Sequence, residues 1–559
     1  MSDSDRTAGL DSRGRLTDDQ KSKLIAVAES LVPGEEIHSL CADGPWVEGY
    51  GKDDSDCGLI VVTKNPRGEQ NDKPETDRIG SSPIIIDEAT LLKAASQPAL
   101  GESVVGLFLN VYEPLVNAEF LRRVETEYKK RIMAEELIEI QADYGDFSSN
   151  LIIPCEYFLF DKLHERASEF PDAIGGYVRT YSGVRRIDNL EFAIRGFRDA
   201  AELFASKGIV ERSDDSVRIF RLRKRRRRSL SILHKMYPST TGGTIRNARH
   251  SLSSTVGIGD KTQPLLKSDV AENIGSLVEL DRPKKLLRLE EGVVFDDASK
   301  MIDEIAHMYG FGENYQHEEK KKGDFTNAST QLEIWNDEKR MKFIVKQFPQ
   351  LKSAKWVLIS IWSVAAKRFN IAPLSRLHRE VEAVRRLHGL GVKTHRIAGV
   401  VLDERTLVTE YSEGVSLDKS VREITTGAST DASSVEEYAR VLGRLHKAGL
   451  VYGDTKPQNA LVSKDGVDLL DLEQAVERGD RAWDLAEFLY YSAKMAKQED
   501  GLKLVADSFL AAYRTENGTQ VIKKARRVRY LLPFLPVIAP RMIRVVRDSL
   551  AKHSIPDSD

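Results

Sequence analysis

The stretch with the clearest capacity for chemistry is residues 445–475, LHKAGLVYGDTKPQNALVSKDGVDLLDLEQA. It places two carboxylates, an amide and an ammonium group at short spacing: Asp454, Lys456, Asn459 and Asp471. Phosphoryl transfer uses this set, because one carboxylate orients the attacking hydroxyl, an amide and a second carboxylate hold magnesium, and a lysine offsets charge on the moving phosphate. Each residue alone fits a cap, a turn or a strand end, so the prediction rests on their combination.

Short local elements must position these groups. A helix is predicted to end at Gly449, and the short strand Leu450–Val451 leads into the polar loop. The predicted strands Ala460–Val462 and Val467–Leu470, joined by a Lys-Asp-Gly turn, then deliver Asp471 at the end of the pair. The sequence therefore predicts one loop and one strand end that converge on a common site.

The order and spacing of these residues resemble the protein-kinase-like superfamily. The Tyr-Gly-Asp triplet at 452–454 stands where typical eukaryotic kinases have His-Arg-Asp. It is similar to the His or Ser followed by Gly-Asp of RIO kinases, the small KEOPS-complex kinase and aminoglycoside phosphotransferases, which form an atypical branch. The resemblance implies that Asp454 is the catalytic base, that Lys456 contacts the phosphate, and that Asn459 and Asp471 bind Mg²⁺.

The same resemblance identifies residues that would bind ATP. Lys346, in the predicted strand MKFIVKQ, is similar to the lysine that contacts the α- and β-phosphates in this superfamily. Its partner is expected to be a glutamate of the helix predicted over 375–392, where Glu380 and Glu382 are candidates. We assign Glu380, because its position seven residues before Leu387 resembles that of the αC glutamate in many kinases.

Two further segments carry the resemblance. Glu410 and Tyr411 end a predicted strand pair in a way that resembles the kinase hinge, so their backbone is expected to bind adenine. Asp484, in RAWDLAEFLYY, resembles the aspartate at a helix start that braces the catalytic loop.

The segment before Lys346 departs from the family pattern. Residues 323–336 contain one glycine, so no glycine-rich phosphate loop is recognisable, and Ser329 and Thr330 are predicted to replace it through hydroxyl and amide groups. An extra apolar stretch, 356–369, lies between Lys346 and Glu380. It is predicted to pack as a helix on the protein or, as the alternative, to lie in a membrane interface.

A second acidic motif lies near the N-terminus. Residues 46–63, WVEGYGKDDSDCGLIVVT, resemble nucleotidyltransferases of the DNA polymerase β superfamily, which need two carboxylates one residue apart and a third on a neighbouring strand. Asp56 fits the first position and Asp87 the third, but Gly58 occupies the second. We expect a degenerate, non-catalytic domain that senses nucleotide or RNA, with an ordinary acidic surface loop as the alternative.

The chain is predicted to be an α+β multidomain protein. Residues 15–117 are predicted to form a small nucleotidyltransferase-like α/β domain, and residues 118–220 a helical domain that ends in a helix and a hairpin, as winged-helix modules do. A basic and Ser/Thr/Gly-rich linker at 221–265 and a helical connector at 266–314 follow. Residues 315–552 are predicted to form a bilobal atypical kinase domain. Three β-branched runs are the predicted strands of the first domain: Leu59–Thr63, Pro83–Ile86 and Ser103–Val111.

Charge is balanced overall but not locally. The 559 residues hold 83 Lys+Arg and 86 Asp+Glu, which argues against a protein-wide surface for nucleic acid. Seven cations nevertheless occupy 221–228, and residues 523–547 contain eight Lys/Arg and no acid. The run at 221–228 is predicted to be a solvated tether, with contact to RNA, DNA or anionic lipid as the alternative, and residues 523–547 are candidates for contact with RNA or an anionic membrane.

The sequence predicts a location in the cytoplasm, with peripheral contact at the membrane. Three widely spaced cysteines indicate a reducing compartment, the N-terminus lacks the features of a targeting signal, and the two longest apolar stretches are too short to span a bilayer.

The predicted function is ATP- and Mg²⁺-dependent phosphorylation of protein serine or threonine, with a protein as substrate. Two alternatives stay open: phosphorylation of a small alcohol, as in aminoglycoside or choline phosphotransferases, and nucleic-acid-binding regulation by a kinase fold that senses ATP.

Overall fold

The computed structural model describes residues 16–52, 55, 57–65, 83–97, 102, 104–220, 280–322, 328–349, 370 and 372–555. The chain divides into two compact units. The first holds residues up to Asp143 together with Leu151–Leu287, and the second holds Tyr144–Asn150 and everything from Arg288 onward. The linker predicted at 221–265 and the apolar stretch 356–369 lie outside the described residues.

The first unit opens with helix α1, Asp18–Leu31, and a four-stranded sheet. Thr17 caps the helix in a capping box with Gln20. The strands are β1 (Ile37–Asp43), β2 (Gly58–Thr63), β3 (Ile84–Asp87) and β4 (Tyr112–Val116). Their order is β3-β2-β1-β4, with β2 and β3 parallel and the other pairs antiparallel.

Helices and apolar side chains close this sheet. Short helix α2 is Pro45–Glu48 and α3 is Glu88–Ser96. The core between α1 and the sheet is formed by Ala28, Val32, Leu40, Ala42, Val47, Leu59, Val61 and Val111. The predicted strand Ser103–Val111 is instead a 3-10 helix over Val105–Leu109, so β4 begins later, at Tyr112.

Among the described residues, the helical part of the first unit contains four helices within 118–220, the range predicted to be helical, and one short helix beyond it. Its helices are α4 (Ala118–Tyr144), α5 (Cys155–Glu169), α6 (Ile174–Ser182), α7 (Arg186–Ser206) and the short α8 (Pro283–Leu286). The predicted hairpin after α7 consists of β6, Val210–Ser213, and β7, Ser216–Ile219, and β7 also pairs with β5, Ile153–Pro154. The confirmed hairpin closes the three-stranded sheet of this part.

The second unit begins with a six-stranded sheet. Its strands are β8 (Val293–Phe295), β9 (Gln316–Lys322), β10 (Ala328–Trp335), β11 (Arg340–Gln347), β12 (Ile397–Val401) and β13 (Thr406–Glu410). The order is β8-β12-β13-β11-β10-β9. All neighbours are antiparallel except β8 and β12.

The residues predicted as a connector, 266–314, do not form a separate segment where they are described. Strand β8 joins the sheet beside β12, and helix α9, Met301–Met308, buries Met301 and Ile305 in the core of the sheet. The second unit therefore begins at Arg288, before the predicted boundary at 315, because these apolar residues are needed to fill that core.

Helix α10, Pro373–Gly389, contacts the 3-10 turn Leu472–Gln474 and carries Glu380. A 3-10 turn, Gly145–Asn150, contacts α10, although it lies between α4 and β5 in the sequence. The remaining helices are α11 (Leu417–Thr425), α12 (Ser433–Lys447), α13 (Arg481–Met495), α14 (Glu499–Asn517), α15 (Gln520–Ala525), α16 (Val528–Leu531) and α17 (Pro540–His553).

Short strands among these helices hold the polar loop. They are β14, β15, β16, β17 and β18, at Val415–Ser416, Leu450–Val451, Ala460–Ser463, Gly466–Leu469 and Val476–Glu477. Strands β16 and β17 form the predicted hairpin, and β15 pairs with β18. A mixed α/β unit with a sheet part and a helical part is thus confirmed for the C-terminal half.

Candidate active site

The polar loop between β15 and β16 carries Asp454 and Lys456 next to each other. The ammonium group of Lys456 lies 2.8 Å from Asp454 Oδ1 and donates a hydrogen bond to Oδ2 at 3.0 Å. Asp454 is buried and Lys456 is half-buried. Burial alone would lower the pKa of Lys456, but the carboxylate of Asp454 raises it, so the lysine stays charged.

Asp484 braces this loop, as predicted. Its carboxylate is fully buried at the start of α13 and accepts hydrogen bonds from the backbone N–H groups of Tyr452 at 2.8 Å and Gly453 at 2.9 Å. Nε2 of His446 lies 3.0 Å from the same carboxylate. Because these contacts involve the backbone, they fix the direction from which Asp454 enters the site.

Tyr452 ties the loop to the strand end that carries Asp471. Its buried hydroxyl donates to the backbone carbonyl of Asn459 at 2.7 Å and also contacts the carbonyl of Leu470. The side-chain amide of Asn459 donates to the carbonyl of Asp454 at 3.0 Å. Its side-chain oxygen therefore remains as the atom that can bind a metal.

Lys346 joins the sheet to this strand end. Its ammonium group lies 2.6 Å from Glu380 Oε2 and 2.6 Å from Asp471 Oδ1. The structure thus brings the predicted lysine and glutamate together and confirms their contact, with Glu380 as the partner. Glu382 contacts Arg385 and Arg386 of its own helix instead.

A third carboxylate, which sequence reasoning missed, completes the cluster. Glu473 Oε2 lies 3.5 Å from Lys346 and 2.7 Å from the guanidinium of Arg376, which is only 1% exposed. The signals were present: Arg376 lies one helical turn before Glu380, and Glu473 lies two residues after Asp471. The Asp-Leu-Glu triplet therefore supplies two carboxylates to the site.

The pKa values of the two carboxyl groups that contact Lys346 shift in opposite directions. Burial raises the pKa of Glu380 to about 7, and neighbouring Asp471 and Glu473 act in the same direction. Burial alone would also raise the pKa of Asp471, but the ammonium of Lys346 lowers it. Asp471 consequently keeps its negative charge, as a metal ligand must.

The donor set fits a magnesium ion. Asp471 and the side-chain oxygen of Asn459 are hard oxygen donors of the kind that Mg²⁺ prefers, whereas the carboxylates of Glu380 and Glu473, within 4.8 Å of that of Asp471, surround the ammonium of Lys346. Asp471 has a left-handed backbone conformation, φ 51° and ψ 61°, which is uncommon for a residue other than glycine. Such backbone strain is typical of functional positions.

The two residues of the predicted hinge already use their backbone N–H groups within the protein. The backbone N–H of Glu410 donates to the carbonyl of Arg396 at 2.8 Å, and that of Tyr411 donates to the carbonyl of Lys342 at 2.9 Å. Both donors are used because β13 stays paired to its end. Within the described part of the chain, the N–H of Ser412 donates to no backbone group, so it is the next donor that adenine could use.

The predicted phosphate contacts of Ser329 and Thr330 separate into two cases. Both lie in β10, where Ser329 is opposite Lys346 and Thr330 is opposite Val345. Cross-strand neighbours share a face and consecutive residues alternate, so Ser329 lies on the Lys346 face and Thr330 on the other. The structure therefore does not place the Thr330 hydroxyl beside Lys346. The connection between β9 and β10, at 323–327, lies outside the described residues.

The structure places Asp87, the candidate for the third carboxylate of the degenerate N-terminal site, away from the start of β2. Asp56 lies outside the described residues. Asp87 is paired with Thr63, at the far end of the parallel strands from Gly58, five residues or about 16 Å along β2. Both Asp87 oxygens cap α3, since they accept from Thr90 N and Oγ1 at 2.9 and 2.7 Å. Asp87 cannot be a third ligand beside the start of β2.

Asp43 explains the glycine at position 58. Asp43 lies opposite Gly58 in the sheet, and a Cβ at position 58 would be only 1.8 Å from Asp43 Oδ1. Burial, with Glu48 as a second cause, raises the pKa of Asp43 to about 6. Glu48 itself is held by Arg179 at 2.7 Å. This end of the sheet thus carries an acid that the sequence motif did not identify.

Comparison with known proteins supports the geometry of the second unit. The model of the lipopolysaccharide kinase (Kdo/WaaP) family matches residues 335–506. A protein of Archaeoglobus fulgidus described as a probable serine/threonine-protein kinase BUD32 homolog is 26% identical over 170 residues, which is 29% of this chain and 81% of that protein. The range that the family model matches spans Lys346, Glu380, Asp454 and Asp471.

These similarities agree with the contacts in the site. A lysine paired with a helical glutamate, a braced loop aspartate and a strand-end aspartate occur together in kinase-like phosphotransferases that use ATP. Residues 335–506, within the second unit, are an atypical member of the protein-kinase-like superfamily.

Proposed function

We propose that the second unit transfers the γ-phosphoryl group of ATP to the hydroxyl of a protein serine or threonine. The observation that carries this proposal is the direct contact of Lys456 with Asp454, at 2.8 Å. In this arrangement Asp454 accepts the proton of the acceptor hydroxyl while Lys456 stabilises charge on the moving phosphate. The superfamily uses both groups for phosphorylation of an alcohol.

The other residues have separate roles in this proposal. Lys346, positioned by Glu380, contacts the phosphates of ATP, and Ser329 adds a hydroxyl on the same face of the sheet. Asp471 and Asn459 would hold Mg²⁺, which would neutralise the phosphate oxygens. Asp484 holds the backbone of the loop, so that Asp454 is already oriented when substrate arrives.

A sugar hydroxyl is the second candidate acceptor. The match of residues 335–506 to the lipopolysaccharide kinase (Kdo/WaaP) family favours it, because the family name refers to a saccharide substrate. Tyr491 lies beside the acceptor side of the site, with its ring 5.6 Å from the Lys456 ammonium group, and an aromatic ring of this kind can pack against a sugar.

A labelled-ATP assay separates these candidates. The full chain would be incubated with γ-labelled ATP and Mg²⁺, alone, with casein or myelin basic protein, and with free sugars or a lipopolysaccharide preparation. Label in protein that is phosphatase-sensitive and absent from Asp454→Ala supports the protein acceptor. Label found only in saccharide supports the second candidate, and absence of transfer to every acceptor contradicts the proposed function.

A further inference from the structure

The segment between α15 and α17 exposes aliphatic side chains close together. Four large residues are exposed within ten positions: Val528 at 55%, Leu532 at 44%, Leu535 at 46% and Val537 at 53%. Single exposed apolar residues are ordinary, but a group on a short segment indicates an interaction surface.

Cations flank these residues on both sides. The exposed ones are Lys523, Arg526, Arg527, Arg541, Arg544 and Arg547. Lys524 and Arg529 bind Asp480, at 2.8 and 2.5 Å, whereas Lys523, Arg527, Arg541, Arg544 and Arg547 form no ion pair with an acid of the described residues. Their charge is therefore available to an external partner.

The fold keeps the two sets of residues together. Helices α15 and α17 contact each other and both pack on α13, and α16 contacts the 3-10 turn Leu532–Val537. On α17 the buried side chains include Met542 and Val546, while the arginines repeat at a spacing of three residues on the exposed side. We call the ten exposed residues the Arg-Leu surface: Lys523, Arg526, Arg527, Val528, Leu532, Leu535, Val537, Arg541, Arg544 and Arg547.

An aromatic cluster holds this surface in place. Phe534 is buried and its ring lies 5.9 Å from that of Trp483, 5.3 Å from Tyr490 and 5.6 Å from Tyr491. Because Phe534 is directed into the protein, its neighbours Leu532 and Leu535 remain exposed. Their exposure is therefore built into a packed segment.

We propose that the Arg-Leu surface binds an anionic phospholipid membrane. Cations near such a membrane are attracted by its negative potential, and aliphatic side chains beside them partition into the interface. No helix among the described residues is long and apolar enough to cross a bilayer, so the contact is peripheral. The aromatic side chains of the segment, Tyr530 and Phe534, are buried, which argues against stacking on the bases of single-stranded RNA.

The position of this surface has a consequence for the active site. Tyr491 contacts Phe534 of the segment on one side, and its ring lies 5.6 Å from the ammonium of Lys456 on the other. Membrane contact would thus bring the acceptor side of the site close to lipid headgroups. The binding itself does not depend on which acceptor is phosphorylated.

Vesicle flotation with the full chain tests the proposal. Vesicles of phosphatidylcholine alone would be compared with vesicles that contain about 30 mol % phosphatidylglycerol, at low and high salt. We expect binding to the anionic vesicles that weakens with salt. The triple variants Arg541→Ala/Arg544→Ala/Arg547→Ala and Leu532→Ser/Leu535→Ser/Val537→Ser should each lower the affinity about tenfold or more.

Matched controls distinguish this surface from general charge or hydrophobicity. Lys419→Ala/Lys447→Ala/Lys464→Ala removes three exposed cations elsewhere in the same unit, and Val184→Ser/Ile187→Ser removes two exposed apolar side chains of the first unit. Both should bind vesicles as the unaltered chain does. Thermal unfolding of every variant establishes that the fold is retained.

Three results would overturn the proposal. They are failure of the unaltered chain to bind anionic vesicles, equal binding by the Arg-Leu variants, and binding to a single-stranded RNA oligonucleotide that is lost in these variants while vesicle binding is unchanged. In the last two cases another segment would carry any membrane contact.

Discussion

The side-chain amide of Asn150 lies 3.0 Å from Nδ1 of His378, which precedes Glu380 by two residues on α10. Both side chains are buried. Two residues along a helix point to nearly opposite sides, so the turn Gly145–Asn150 supports α10 from the side away from Lys346. A short segment from the N-terminal half of the chain thereby supports the helix whose Glu380 contacts Lys346.

Replacing this amide should weaken the site from a distance. Asn150→Ala removes the amide contact with His378 and is expected to lower the free energy of unfolding of the second unit by about 1–3 kcal/mol and to reduce phosphate transfer. Chemical denaturation and initial rates measure the two effects. Ser149→Ala, an exposed neighbour, is the control, and an Asn150→Ala variant with unaltered stability would contradict the support role.

Removal of the proposed base should abolish chemistry and spare binding. Asp454→Ala is expected to reduce transfer by about 10²- to 10⁴-fold, because the acceptor hydroxyl loses its proton acceptor. A fluorescent ATP analogue should still bind, since Lys346 and Asp471 are unchanged. Asp465→Ala, on the exposed hairpin turn, serves as control; comparable rates for the two variants would exclude Asp454 as the base.

The strand-end aspartate should control the requirement for metal. Asp471→Asn is expected to raise the Mg²⁺ concentration for half-maximal activity at least about tenfold, because a neutral amide is a poorer ligand than a carboxylate. Rates over a magnesium titration measure this shift. An unchanged titration curve, with the rate altered only in its maximum, would count against direct metal binding by Asp471.

The carboxylate that the sequence motif did not reveal should matter for stability. Glu473→Gln leaves the guanidinium of Arg376, 1% exposed, without its full counter-charge, and should cost about 3 kcal/mol. Glu477→Gln, which breaks a half-exposed pair with Arg386, should cost at most about 1 kcal/mol. Urea denaturation of the two variants compares them directly, and equal costs would contradict the structural importance of Glu473.

Asp43 should give the first unit a measurable pH dependence. Its pKa is raised from 3.8 to about 6 in the folded protein, so the folded state binds more protons than the unfolded state between these values. The stability that Asp43 contributes is therefore fully present below about pH 4 and is lost as the pH rises toward about 6.

Asp43→Asn removes this loss. The variant should gain stability relative to the unaltered chain at about pH 7.5 but not at about pH 4, by at most about 3 kcal/mol. Thermal unfolding at the two pH values measures the difference. A gain of the same size at both values would show that Asp43 does not titrate in this range.

The catalytic loop could be predicted from the sequence because its chemistry is local. Asp454, Lys456 and Asn459 lie within six residues, and Asp471 follows a hairpin whose turn residues are explicit. The Lys346–Glu380 pair could be predicted only through family resemblance, since 34 residues separate its members.

Other features depend on pairings that a linear pattern does not contain. Because β3 runs parallel to β2, Asp87 lies beside Thr63, at the end of β2 opposite to Gly58. Side chains alternate along β10, so the Thr330 side chain lies on the face of the sheet away from Lys346. Arg376 and Glu473 were missed because a buried ion pair appears in the sequence as two ordinary surface charges. The backbone N–H groups of Glu410 and Tyr411 are already bonded because pairing continues to the last residue of β13, which the sequence pattern does not show.

The interleaving of the two units along the chain has a genetic consequence. The second unit takes Tyr144–Asn150 from within the stretch that otherwise builds the first. A single joining event between genes, or a single cut in an expression plasmid, cannot transfer the second unit alone. A breakpoint before Tyr144 also carries Leu151–Leu287 of the first unit, and a breakpoint after Asn150 leaves Tyr144–Asn150 behind. The phosphotransferase part of this chain must therefore be inherited, and engineered, together with the sequence that precedes it.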